Sequence, residues 1–69
     1  MKIQVRITTK YGVYDSDISE LTAKEFDNLK TLACKINNLE YFTIVHDNIT
    51  LFFAPNVVKD SIISFIEIK

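Results

Sequence analysis

The stretch Tyr41-Phe42-Thr43-Ile44-Val45-His46-Asp47-Asn48-Ile49-Thr50-Leu51-Phe52-Phe53-Ala54 decides the fold. Two runs rich in β-branched and aromatic residues flank Asp47-Asn48, and both turn residues tolerate the positive φ angles of a two-residue hairpin loop. A loop of that length fixes the register: His46 opposes Ile49, Ile44 opposes Leu51, and Phe42 opposes Phe53. Those six residues share one face. Tyr41, Thr43, Val45, Thr50, Phe52 and Ala54 share the other. A ribbon with apolar side chains on both faces needs two coverings, and the rest of the chain is read with that need in mind.

The first covering lies upstream. Thr22-Ala23-Lys24-Glu25 has the spacing of a capping box, with Thr22 as N-cap and Glu25 three residues on. Leu21 precedes the cap and Phe26 follows at the spacing of a hydrophobic staple. Phe26, Leu29, Ala33 and Ile36 form one apolar stripe with Leu32 on its flank, while Lys24, Asp27, Asn28, Thr31 and Lys35 fall opposite. Asn37-Asn38 supplies a left-handed stop. The spacing predicts a helix over 23–36 whose stripe faces Phe42, Ile44, Leu51 and Phe53.

Further out, Lys2 to Thr9 alternates, with Ile3, Val5 and Ile7 on one side and Lys2, Gln4, Arg6 and Thr8 on the other. That is a half-buried strand. Lys10-Tyr11-Gly12 turns the chain into a short edge strand, Val13 to Ile18, weakened by Asp15, Ser16 and Asp17. After Ala54, Pro55-Asn56 breaks the strand. Ser61 to Ile68 forms a last strand that is apolar on both faces, with Ile62, Ile66 and Ile68 on one and Ile63 and Phe65 on the other. The order is ββαβββ: an α+β fold, an antiparallel sheet with one helix packed on one face, in a single domain over residues 1–69.

Composition narrows the function classes. With 48% hydrophobic and 25% charged residues, the chain is globular rather than disordered. A nucleic-acid binder carries a basic surplus, whereas 8 basic residues here face 9 acidic ones. One cysteine, Cys34, excludes an internal disulfide, and Cys34 with His46 falls short of the four ligands of a structural zinc site. The opening residues alternate instead of forming a continuous apolar run, and no apolar stretch approaches the roughly 20 residues of a membrane helix. A cytoplasmic protein without membrane attachment, metal or cofactor is expected.

The candidate chemistry is sparse. His46 beside Asp47 at a hairpin tip has no nucleophile placed near it, so an imidazole at the rim of the core outweighs a general base. Cys34 lies towards the C-terminal end of the helix, where the dipole opposes a thiolate, and reads as a small hydrophobe. Asp15, Asp17 and Glu20 lack the glycine and distal glutamate of a calcium loop and read as a solvated edge. A single glycine excludes a glycine-rich phosphate loop, and the scattered acids form no carboxylate pair. No enzymatic activity is expected. Lys2, Arg6 and Lys10 line one side of the first strand as a solvated face. Tyr11, Tyr14 and Tyr41 are able to stack on planar ligands.

One helix covers one sheet face. The uncovered face carries Tyr41, Val45 and Phe52, and a contiguous patch of that kind marks an interface. These three residues are the expected surface for a second copy, a twofold dimer being the commonest arrangement. The competing reading has the last strand folding across this face to close a small barrel. A domain this small buries only about 60% of its unfolded surface, which adds to the case for self-association.

The segment Phe53-Ala54-Pro55-Asn56-Val57-Val58 followed by Ile62-Ile63-Ser64-Phe65-Ile66-Glu67-Ile68 resembles the ending of very small ββα-type proteins encoded by bacteriophages and prophages of low-GC Gram-positive bacteria. Richness in Ile, Lys and Asn agrees with an AT-rich genome, and Lys59-Asp60-Ser61 is an insertion relative to that ending. The resemblance implies an accessory protein in the cytoplasm of a bacterial host. Such a protein binds and modulates or inhibits a host protein, including a defence protein, without catalysis. An alternative is a homo-oligomeric sponge that sequesters a nucleotide-like immune signal, with Arg6, Tyr14, Tyr41 and His46 as the ligand-binding residues. A third alternative, a nucleic-acid-binding regulator, is disfavoured by the neutral charge.

Overall fold

The structure, a computed structural model, describes residues 1–35 and 41–69. The readings placed on the Cys34 and Lys35 side chains, on Ile36 and on Asn37-Asn38 lie outside the described residues. The chain runs β1 (Lys2–Thr9), β2 (Gly12–Asp15), β3 (Ser19–Glu20), α1 (Ala23–Lys35), β4 (Phe42–His46), β5 (Ile49–Phe53), α2 (Pro55–Lys59) and β6 (Ile62–Ile68). This is the expected α+β class, with antiparallel sheet and one long helix on one face. Two small elements, β3 and α2, are additions to the expected order.

The strands form two sheets. β1 is central in the larger one, with β6 antiparallel along one edge and β2 and then β3 along the other. β4 and β5 form a separate ribbon whose register pairs Phe42 with Phe53, Ile44 with Leu51 and His46 with Ile49, as the two-residue loop requires. Asp47 and Asn48 take φ of 51° and 64°, the left-handed pair of a type I′ turn.

The second strand departs from its expected span. Val13 to Ile18 does not run as one strand, because the ladder stops after Asp15 and resumes only at Ser19. Ser16, buried, fills the gap. Its N–H donates to the Val5 carbonyl at 2.8 Å, and its hydroxyl accepts from the Val5 N–H at 2.9 Å. The next residue couples the two sheets. The Asp17 N–H donates to the Val45 carbonyl at 2.8 Å, and the Asp17 carboxylate accepts from the Asp47 N–H at 3.1 Å.

Pro55-Asn56 ends the strand as expected, β5 stopping at Phe53, and it also begins a short helix that the sequence did not announce. Pro55 opens α2 as its first residue, where a missing N–H costs nothing. No side chain caps this helix, and Ala54 in an extended conformation precedes it. The turn of helix delivers Val58 into the core.

β6 lies beside β1, so Ile63 and Phe65 join Ile7 and Val5 on the inner face, and Ile62, Ile66 and Ile68 join the outer one. The core gathers Ile7, Phe42, Ile44, Phe53 and Val58, with Val5, Leu51, Val57 and Ile63 packed against it. Among the described residues, Phe42, Ile44 and Phe53 therefore meet the sheet and α2, not the helix stripe assigned to them. The helix instead reaches the sheet at β6, where Phe26 meets Phe65 edge to face at 5.9 Å. The helix start is as the sequence indicates: the Thr22 N–H donates to Glu25 Oε1 at 2.9 Å, and the Glu25 N–H donates to Thr22 Oγ1 at 3.1 Å.

Candidate interaction face and aromatic cleft

The outer face of the β4–β5 ribbon is open. Phe52 is 71% exposed, Tyr41 66% and Val45 49%, and Thr43 and Thr50 between them are exposed as well. β6 does not close over them, because its pairing with β1 is on the other sheet. The register places Phe52 opposite Thr43, so Tyr41 and Val45, two residues to either side of Thr43, are its diagonal neighbours. Phe52 is thus the centre of a three-residue apolar patch on an otherwise hydroxyl-bearing surface.

The four residues assigned to a nucleotide-like ligand are not brought together. Arg6 lies on the outer side of β1, opposite Asp15, and its guanidinium is engaged there in two hydrogen bonds of 2.7 and 3.2 Å. Those bonds, reinforced by the charge attraction, raise the Arg6 pKa and lower that of Asp15. Tyr14 lies on the inner side of β2, paired with Ile7, and meets Phe53 edge to face at 5.5 Å. His46 is at the ribbon tip with Nδ1 3.5 Å from Asp17 Oδ1, whereas Tyr41 precedes β4 at the opposite end. Among the described residues, no group of three or more His, Cys, Asp or Glu is arranged to hold a metal ion, and no helix is long and apolar enough to cross a membrane.

Tyr14 does line a concave site. A cleft of about 380 Å³ opens between the β1–β2 turn and the junction of β5 with α2, lined by Thr9, Tyr11, Tyr14, Leu51, Phe52, Phe53, Ala54 and Val57. Four of the chain's eight aromatic residues are in this lining. Thr9 shapes the turn, its hydroxyl donating to the Gly12 carbonyl and accepting from the Tyr11 N–H, each at 3.0 Å. That turn holds the Tyr11 ring in the open, 68% exposed, with Lys10 Nζ 5.3 Å from its centroid. Sequence reasoning named Tyr11 and Tyr14 as stacking residues but missed Leu51, Phe53, Ala54 and Val57 as their neighbours. No local pattern links a turn at residue 11 to a strand end at residue 53.

Compared with known proteins, the chain matches no family model, no curated protein and no solved structure.

Proposed function

We propose that this chain is a non-enzymatic, phage-encoded accessory protein that binds and modulates a host protein, and that it self-associates through the outer face of the β4–β5 ribbon. The supporting observation is Phe52, a large aromatic left 71% exposed at the centre of the Tyr41–Val45–Phe52 patch. Exposed aromatics with few rotatable bonds are the residues that interfaces favour, because they bury much area at little entropic cost. Tyr41 adds a hydroxyl able to pair at the rim of such an interface.

Sedimentation of the wild-type protein beside a Phe52→Asp variant tests the self-association. A dimer that becomes a folded monomer on substitution is the expected result, since a buried unpaired carboxylate is strongly disfavoured. Identical masses for the two proteins across a wide dilution series would overturn it. The host-protein arm requires reconstitution: a captured candidate, purified separately, must form a stoichiometric complex with this chain and change activity on doing so.

A further inference from the structure

The cleft beside the β1–β2 turn shares Phe52 with the proposed self-association patch, but its other walls, Tyr11, Tyr14, Leu51, Phe53 and Val57, lie outside that patch. We infer that the cleft is a binding site for a small planar aromatic molecule carrying an anionic group. Its volume, about 380 Å³, falls within the range of about 300–1,000 Å³ that small-molecule sites occupy. Its surface is dominated by rings. Tyr14 and Phe53 are locked edge to face at 5.5 Å, and Tyr11 and Phe52 stand exposed around them. Aromatic walls stack on any flat π-face, which makes a planar ring the preferred occupant over a branched aliphatic one. The lining carries no charged side chain, and the charge that touches it is a cation: Lys10, outside the lining, holds its Nζ 5.3 Å from the centroid of the Tyr11 ring. The nearest acid on β2, Asp15, is one position beyond Tyr14, lies on the outer sheet face and is held by Arg6. A ring in the cleft with an anion directed at Lys10 satisfies both features. An aromatic carboxylate and a nucleotide monophosphate share that chemistry.

The test is amide chemical-shift titration of the intact chain with four probes: naphthoate and adenosine monophosphate, and their neutral counterparts naphthamide and adenosine. The expected result is saturable shifts at Tyr11, Gly12, Leu51, Ala54 and Val57, with a Kd at or below about 1 mM for an anionic probe. Each anion should bind about two- to fivefold more tightly than its neutral counterpart, the scale of one exposed charge pair. Lys10→Gln should remove that preference. Tyr11→Ala, at an exposed turn position that leaves the fold intact, should weaken binding at least about fivefold through loss of a stacking wall. Tighter binding of naphthoate identifies the carboxylate class, and tighter binding of the nucleotide identifies the other. Absence of saturable shifts at these amides overturns the site. Equal affinity for charged and neutral probes overturns the anionic assignment. Phe52 borders both surfaces, so the titration is run at a concentration where the protein is monomeric, and the effects of Lys10→Gln and Tyr11→Ala on binding are then read separately from the effect of Phe52→Asp on mass.

Discussion

The Ser16 hydroxyl accepts the Val5 N–H at 2.9 Å and donates to the Asp17 carbonyl at 2.9 Å, taking the place of a backbone partner that the interrupted β2–β3 edge does not supply. The Ser16 carbonyl in turn accepts from Gln4 Nε2 at 3.0 Å. One buried side chain therefore closes the hydrogen-bond ladder of β1 where two short strands meet.

Removing that hydroxyl leaves the Val5 N–H without its partner inside the structure. Ser16→Ala is expected to cost about 1–3 kcal/mol, the penalty of an orphaned buried donor. Chemical denaturation checks this. A change within about 0.5 kcal/mol, as at an ordinary surface position, would show that water takes over the role.

The ribbon turn offers the opposite sign. Asn48 holds φ of 64°, which asparagine tolerates and glycine adopts freely. Asn48→Gly should therefore stabilise the protein, by up to about 1 kcal/mol. The check is a thermal melt; a lowered midpoint would mean that the Asn48 side chain contributes something a glycine cannot replace.

These two positions also show what the sequence discloses. The type I′ turn is a local matter of two residues, so the β4–β5 register and the shared face of Tyr41, Val45 and Phe52 follow directly from the alternation around it, whereas their exposure depends on where β6 pairs. The capping box at Thr22 and Glu25 is equally local. The split of the second strand depends on the Ser16 side chain meeting Val5 across the sheet, which no neighbouring residue announces. Pro55 announces the end of β5, but α2 has no side-chain cap to signal that a helix follows. β6 is apolar on both faces, so only its pairing with β1 decides which side is inward. The cleft is legible in its tyrosines but not in its walls, because these come from distant segments.

Two carboxylates give the fold an acid-side dependence. Hydrogen bonding to Arg6 lowers the Asp15 pKa, and hydrogen bonds from the Thr22 backbone and side chain lower that of Glu25. A carboxylate whose pKa is lower folded than unfolded stabilises the fold above its unfolded pKa, about 4. That contribution is lost as pH falls through the folded value. Melting temperature should hold between about pH 5 and 7 and fall below about pH 4. In an Asp15→Asn, Glu25→Gln variant the fall should be shallower, and an unchanged slope would assign the acid sensitivity to other groups.

Two phenylalanines distinguish the two faces of the ribbon. Phe42 is 5% exposed and packs with Ile7, Ile44, Phe53 and Val58, whereas Phe52 points away at 71% exposure. Phe42→Ala should cost about 3–5 kcal/mol. That is a large share of the roughly 3–10 kcal/mol available to a chain of this size, so the variant should be largely unfolded on warming. Phe52→Ala should change stability by less than about 0.5 kcal/mol as a monomer. Melts at a protein concentration low enough to dissociate any dimer measure the folding term. Repeating them at high concentration adds the association term, because a partner that binds only the folded state raises the midpoint. Wild-type protein should gain stability with concentration and Phe52→Ala should not. A parallel rise in both would place the self-association surface away from Phe52, on another of the exposed apolar side chains such as Ile62, Leu32 or Ile49.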